Sequence, residues 1–275
     1  MKETPLNAKF NVLPVKNEKG QDDEILIISV DVSLERVIKS YDGKVYLRQN
    51  DKSQELNFEQ ILQLQYDRGQ RFFEDEMIDG ATLQDLDEEL LSEYKSIMNI
   101  SERTNEEMLK AKNFLVRGKL TNAGILLFGK NPCQFLPQAR LRVIKYSGKH
   151  QKVGTEINII KEKTFESAIP DIIREARAFI NTQLRDFQYL DEEGKFNIMP
   201  EYPEFAWFEG IVNALTHRNY SIRGEHIKVL VFDDRLEILS PGLLPNLVTI
   251  ENILNQRYSR NPSREIGRAS CRERV

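Results

Sequence analysis

Residues 201–242 hold the side chains whose types and spacing could do chemistry. Glu209, Asn213 and His217 recur every fourth residue in a stretch that Pro203 is suited to open as a helix. That spacing puts the three on one helix face, about one turn apart. Phe205, Phe208, Val212 and Leu215 supply an apolar stripe beside them. A carboxylate one turn from an amide suits magnesium–nucleotide chemistry. The amide oxygen is a hard, neutral magnesium ligand, and the carboxylate can orient or deprotonate a water. The bland alternative is an ordinary amphipathic helix whose polar face happens to show Glu, Asn and His, and spacing alone leaves both readings open.

The elements after this helix fit a site. Residues 218–224 read as a polar loop ending in glycine. Residues 226–232 and 236–239 then flank Asp233-Asp234-Arg235 as a β-hairpin, and Ser240-Pro241-Gly242 with Pro245 ends the second strand in a tight turn. Other candidates fall away. Gly124 to Asn131 is nearly a phosphate-binding P-loop, but four bulky apolar residues separate its glycines. Asn131 stands where a Ser or Thr hydroxyl is needed, and Pro132 follows, so this run reads as core. His150, His217 and His226 lack metal-ligand spacing, and Cys133 between two prolines reads as an ordinary thiol.

The elements that must position these residues are legible in outline. Residues 10–15, 24–32 and 44–48 look like strands separated by turn formers, with apolar residues on both parities of the second strand predicting burial on at least one face. Residues 57–64 read as a short helix capped by Asn57. Leu83, Leu86, Leu90, Leu91 and Tyr94 recur at helical spacing, with Thr82 and Asp85 as caps or first-turn residues. The acids between 74 and 93 read as a solvated helix face. Residues 119–129 are compact and apolar, 140–146 read as a strand, and 165–184 as an amphipathic helix with Ile169, Ile172, Ile173, Ala176, Phe179, Ile180 and Leu184 on one side. A loop at 191–194 follows.

Composition sets the limits. The 275 residues carry 39 Lys+Arg against 43 Asp+Glu, a formal net charge of −4, which gives no support to broad electrostatic wrapping of nucleic acid or an anionic membrane. With 40 % apolar residues there is enough for a core, yet the longest apolar runs are far short of a bilayer span. No leader peptide is visible, and two cysteines exclude a disulfide scaffold, so a reducing cytoplasm is the expected setting. Residues 265–275, EIGRASCRERV, match the translation of a common short-read sequencing adapter and are set aside; removing their net +1 leaves −5 on the first 264 residues. The native chain is then expected to run past Arg264.

ExxxNAxxHR at 209–218, HIKVLVFDDRLEILSPGLLP at 226–245 and SRNP at 259–262 resemble the divergent GHKL-type ATPase domain of bacterial and archaeal transcriptional regulators. This HATPase_c_4-like group is often labelled RecG-like helicase, though nothing here looks like a helicase motor. LTNAGILLFGKNPCQFLPQARL at 120–141 resembles the segment preceding that domain. Residues 1–64, with Val45-Tyr-Leu-Arg48, look like the C-terminal part of a Schlafen-type AlbA-2 module, which implies DNA as a partner. By this resemblance Asn213 is the Mg²⁺ ligand and Glu209 positions or activates the attacking water, with His217 near the nucleotide. Ser240 and Gly242 stand where the wider group has the D-x-G turn whose Asp binds adenine. Serine can hydrogen-bond there but supplies no carboxylate. The second half of the ATP site is expected beyond the chain's end; the first half of the AlbA-2 module does not precede Met1, so either Met1 is an internal or misassigned start or that half is absent.

The predicted fold class is α+β, with layers of helices on a mostly antiparallel sheet. The expected domains are an AlbA-2-like part at 1–64, a helical connector at 65–118, an α/β segment at 119–199 and a GHKL-like part at 200–264. The leading functional expectation is an ATP- and Mg²⁺-binding regulator coupled to a DNA-binding module, with weak ATPase activity and homodimerisation as further implications and no membrane partner. The alternative is a nucleic-acid-binding module carrying a degenerate GHKL-like scaffold. A sheet domain cut short should leave an edge and an apolar face uncovered, predicting poor solubility in isolation.

Overall fold

The computed structural model describes residues 8–31, 33, 36–49 and 52–242. Val32, Pro245, the SRNP string and the adapter-like tail lie outside the described residues. The architecture is mixed α+β, with six helices, several two-stranded sheets and one four-stranded sheet among the described residues. The chain divides into two units, Met1–Gln70 and Arg71–Val275. No helix among the described residues is long and apolar enough to cross a membrane.

In the first unit, β1 (Ala8–Lys16) and β2 (Asp22–Val30) pair antiparallel from Ala8↔Val30 to Lys16↔Asp22. Their turn is set by the Asn17 side chain, which accepts from the Lys19 and Gln21 N–H groups, and by Gly20 at φ +76°. Strands β3 (Tyr46–Gln49) and β4 (Lys52–Glu55) form a second hairpin. Helix α1 (Phe58–Asp67) follows, with Asn57 and Gln60 exchanging the two hydrogen bonds of a capping box. The expectation of a buried second strand is overturned, because every residue of β2 is exposed on both faces. The ribbon has a partner strand along one edge, but no layer is stacked on it among the described residues.

The second unit is built around a short buried helix. Helices α2 (Glu88–Ile97) and α3 (Asn105–Ala111) are followed by a minimal ladder, β5 (Leu115–Val116) with β6 (Lys119–Leu120), and then by α4 (Asn122–Phe128), all seven of whose residues are buried. The P-loop-like string is therefore core, with Gly124 packed where a Cβ would stand 2.9 Å from the Phe114 carbonyl oxygen. Tyr94, Phe114 and Phe128 meet edge to face, with ring centroids 5.3–6.1 Å apart. The helix expected to run through Leu83 and Leu86 starts later. Asp87 caps it by accepting from the Glu89 and Leu90 N–H groups, while Thr82 and Asp85 close a separate single turn.

Next come β7 (Leu141–Tyr146), β8 (Ile159–Phe165), α5 (Ile169–Asn181), the hairpin β9 (Asp186–Leu190) with β10 (Phe196–Pro200), α6 (Glu204–Thr216), β11 (Ile227–Val231) and β12 (Leu236–Leu239). Strands β8 and the β9–β10 hairpin were not anticipated. Phe165 ends a strand rather than opening a helix, since Pro170 fixes the start of α5 four residues later. The four-stranded sheet has the order β12-β11-β7-β8. Its central pair is parallel and its two outer pairs antiparallel. Leu141, Val143, Ile227, Val229 and Val231 join the main core with residues of α4, α5 and α6. Ile144, Tyr146, Leu230 and Phe232 form a small cluster on the other face, where the Tyr146 and Phe232 rings stack at 5.2 Å.

Gly124 gives a direct test of α4 as core. In Gly124→Ala the new methyl meets a backbone oxygen rather than the end of a flexible side chain. The overpacking, about 1–3 kcal/mol, should outweigh the helix-propensity gain of about 1 kcal/mol. Urea unfolding is expected to show a lower midpoint with unchanged slope.

Candidate functional site

Helix α6 starts after Pro203 and lays Trp207, Ile211, Val212, Ala214 and Leu215 into the core. The expected stripe is corrected at its first residue: Phe205 is 79 % exposed, because 207, 211, 214 and 215 complete the helical period on the buried side. Gly210 lets the helix approach β12, where a Cβ would lie 2.7 Å from Ile238 Cδ1. At its start, Glu204 pairs with Arg177 of α5 at 2.6 Å.

Glu209 and Asn213 are half-buried, and the Asn213 amide nitrogen donates to Glu209 Oε1 at 3.2 Å. His217 is the residue at which the helix ends. Its N–H donates to the Asn213 carbonyl at 2.9 Å and its side chain is exposed. Its backbone has left helical geometry, so the three-residue face expected from spacing is a two-residue face plus a terminus.

The end of α6 explains where Ser240 sits. A helix leaves its last carbonyls without intrahelical donors. Here the Ser240 hydroxyl donates to the Ala214 carbonyl at 3.1 Å and the Tyr220 hydroxyl donates to the Leu215 carbonyl at 2.9 Å. The Asn219 N–H also donates to the Pro241 carbonyl at 3.2 Å. The Ser240-Pro241 turn is thus fastened beside Asn213. Gly242 has a negative or extended φ and open space at its Cβ position among the described residues, so neither feature requires glycine there.

Sequence reasoning assigned no role to Arg218, which is 3 % exposed. Its guanidinium donates to the carbonyls of Asn219 (2.9 Å), Ile222 (3.0 Å) and Glu225 (2.6 Å) and stacks on the Tyr220 ring at 4.9 Å. Burial lowers its pKa below the ordinary arginine value. Gln138 holds the same loop from outside, donating to the Tyr220 carbonyl at 2.8 Å. The signal available in the sequence was an arginine directly after a helix end, before a loop with no acidic partner in register. Burial, with Lys228, Arg142 and Arg140 adding to it, holds the His226 imidazole below its ordinary 6.5, and its Nε2 is buried without a hydrogen-bond partner.

No three of His, Cys, Asp and Glu converge as a metal-ligand set among the described residues. A cavity of about 830 Å³ opens between residues 73–79, 134–140 and 223–226, and none of Glu209, Asn213, His217, Ser240 or Gly242 lines it. It is therefore a separate feature from the α6 pair.

Comparison with known proteins gives two family matches, each over less than half the chain. Residues 224–263 match HATPase_c_4, described as "Putative ATP-dependent DNA helicase recG C-terminal", so a segment of that type is present. Residues 62–142 match DUF8451, a domain of unknown function. No curated protein matches. The chain is similar in fold to the DIP2311 protein from Corynebacterium diphtheriae, with a TM-score of 0.56 and 23 % identity over 97 % of this chain and 52 % of that one. The chain thus spans about half the length of that relative.

Two outcomes are expected. Arg218→Leu leaves three part-buried carbonyls without their donor, at up to about 1–3 kcal/mol each, offset in part by no longer burying a cation, for a net loss of roughly 2–4 kcal/mol in urea unfolding. Arg218→Lys should recover less than half, since an ammonium lacks the fork, and amide exchange at 219–225 should accelerate in both. Because the His226 pKa is lower folded than unfolded, the unfolded state takes up the proton first. Its stabilisation is full above about pH 6.5 and is lost as pH falls through the folded value. Urea midpoints at pH 7.5 and 5.5 should therefore differ less in His226→Asn than in the parent chain.

Proposed function

We propose that this chain carries part of an ATP-binding site of GHKL type, with Asn213 as the residue that holds magnesium and Glu209 as the residue that orients the attacking water. The observation that carries the reading is the Asn213–Glu209 hydrogen bond on α6, a helix that packs directly on β12 of the HATPase_c_4-like segment. A carboxylate only accepts, so the amide nitrogen must be the atom that faces Glu209. That turns Oδ1, the hard oxygen a magnesium ion takes, away from the carboxylate. One amide oxygen fits magnesium, which keeps several waters and is commonly held by one or two protein groups plus phosphates. Magnesium bound there would neutralise phosphate charge.

Ser240 takes the adenine-facing place in this reading. Its proton is committed to the Ala214 carbonyl, so toward a base it acts as an acceptor, the role that suits an exocyclic amino group. His217 and Gly242 border the same end of the helix. The N-terminal unit would supply contact with DNA, with nucleotide state altering that contact, in a homodimer. The same Ser240 bond favours a second reading, in which the turn serves only to cap α6 and the ATPase-like part is a scaffold for a nucleic-acid-binding module.

A calorimetric titration of the full-length gene product with Mg·ATP separates the two. Binding is expected, and Asn213→Ala should abolish it, while Glu209→Ala should keep binding and lower phosphate release at least tenfold. Equal affinity in Asn213→Ala would sink the nucleotide reading. A salt-sensitive DNA affinity indifferent to nucleotide would establish the scaffold reading.

A further inference from the structure

The 830 Å³ cavity lies wholly in the unit Arg71–Val275. Two of its walls come from the stretch that matches DUF8451, and the third is Arg223 with residues 224–226, the first three of the HATPase_c_4-like segment. Its volume suits a small organic molecule, and seams between segments are where such sites concentrate. The third wall is held in place: Arg218 gathers the carbonyls of the loop leading to it, and Gln138, itself a wall residue, fastens that loop from the other side. Little ordering is then left to be done on binding.

The charges on the wall decide what would bind. Glu76 is paired with Arg71 at 2.9 Å, Asp79 with Lys119 at 2.6 Å and Glu225 with Lys228 at 3.7 Å, while Arg140 is paired with Glu166 at 3.0 Å. Arg223 makes no ion pair among the described residues, so it is the unmatched charge. His226 also lines the cavity, but its Nε2 is shut off from solvent and so does not open into it. Phe73, Met77 and Phe135 make part of the remaining wall apolar.

We propose that this cavity binds a small organic monocarboxylate with a flat apolar body, the carboxylate meeting Arg223 and the body lying against Phe73 and Phe135. A guanidinium fork matches a carboxylate with two parallel hydrogen bonds. Since burial keeps the imidazole neutral near pH 7, the wall offers one uncompensated positive charge. That balances a carboxylate and not a phosphate monoester, which carries about −1.5 to −2. The proposal is independent of the nucleotide reading, because no residue of that site lines the cavity.

The test is calorimetric titration of the 275-residue chain with benzoate, 2-naphthoate and 3-phenylpropanoate, alongside 2-naphthamide and phenyl phosphate. At least one carboxylate should bind with a Kd of about 1 mM or tighter. Arg223→Gln should weaken it tenfold or more, and so should Gln134→Trp, which places an indole in the cavity from an exposed position. Lys16→Gln, a charge change in the other unit, should leave it as it was. The proposal is overturned if no carboxylate binds or if neither cavity variant alters binding. It is equally overturned if the amide or the phosphate ester binds as tightly as the best carboxylate.

Discussion

An α-helix that ends inside a protein must have its last carbonyls answered, and α6 is the place where this chain meets that demand. Its terminus lies between the core and a ten-residue connection to β11. The donors come instead from two hydroxyls distant in the fold, Ser240 and Tyr220. Tyr220 can reach only because the loop carrying it is curled, and the loop is curled around the Arg218 guanidinium. The arginine makes no ion pair at close range among the described residues. It is held by three carbonyl dipoles and an aromatic face, a solvation shell made of protein. Removing any one of these pieces exposes unsatisfied groups in the others, so the helix end, the loop and the Ser240-Pro241 turn behave as one unit.

That unit matters because the candidate pair Glu209 and Asn213 is on the same helix. Asn213 contributes its carbonyl to the terminus and its side chain to the hydrogen bond with Glu209. The position of the pair is fixed from the other end as well. Gly210 allows α6 to sit close on β12, and Glu204 ties its first turn to Arg177 of α5. Behind them, α4 is packed so tightly that its glycine rests against a carbonyl of the preceding loop. Such a core transmits displacement instead of absorbing it.

The sequence made some of this legible for reasons that are local. The Asn57 cap, the strand at 140–146, the helix containing Glu209 and Asn213, and the hairpin after it all follow from short-range spacing and turn chemistry. What was misread depends on contacts between distant segments. The apolar residues of β2 signal burial by composition, yet a ribbon is buried only if another layer is laid on it. Phe205 looks like the start of an apolar stripe until Trp207 and Ile211 are seen to take the buried side. Helix starts shifted wherever a cap or proline lay a few residues inside the apolar period, as at Asp87 and Pro170. Arg218 was invisible as a structural centre because its partners are backbone carbonyls, which carry no sequence signature.

The serine at 240 illustrates how such contacts constrain chemistry. The proposed nucleotide reading sets position 240 where the GHKL group has an aspartate, so the serine looks at first like a missing base-binding group. The geometry gives another reason for it. Position 240 must donate a hydrogen bond to the Ala214 carbonyl at 3.1 Å, and an ionised carboxylate has no proton to donate. An aspartate there would set acceptor against acceptor at the end of a helix whose C-terminal dipole already disfavours negative charge. A hydroxyl resolves this by donating inward to the helix while keeping its lone pairs for whatever approaches from outside. The residue type is thus dictated by the end of α6, and any ligand that uses this turn has to accept the donor–acceptor pattern the helix leaves available.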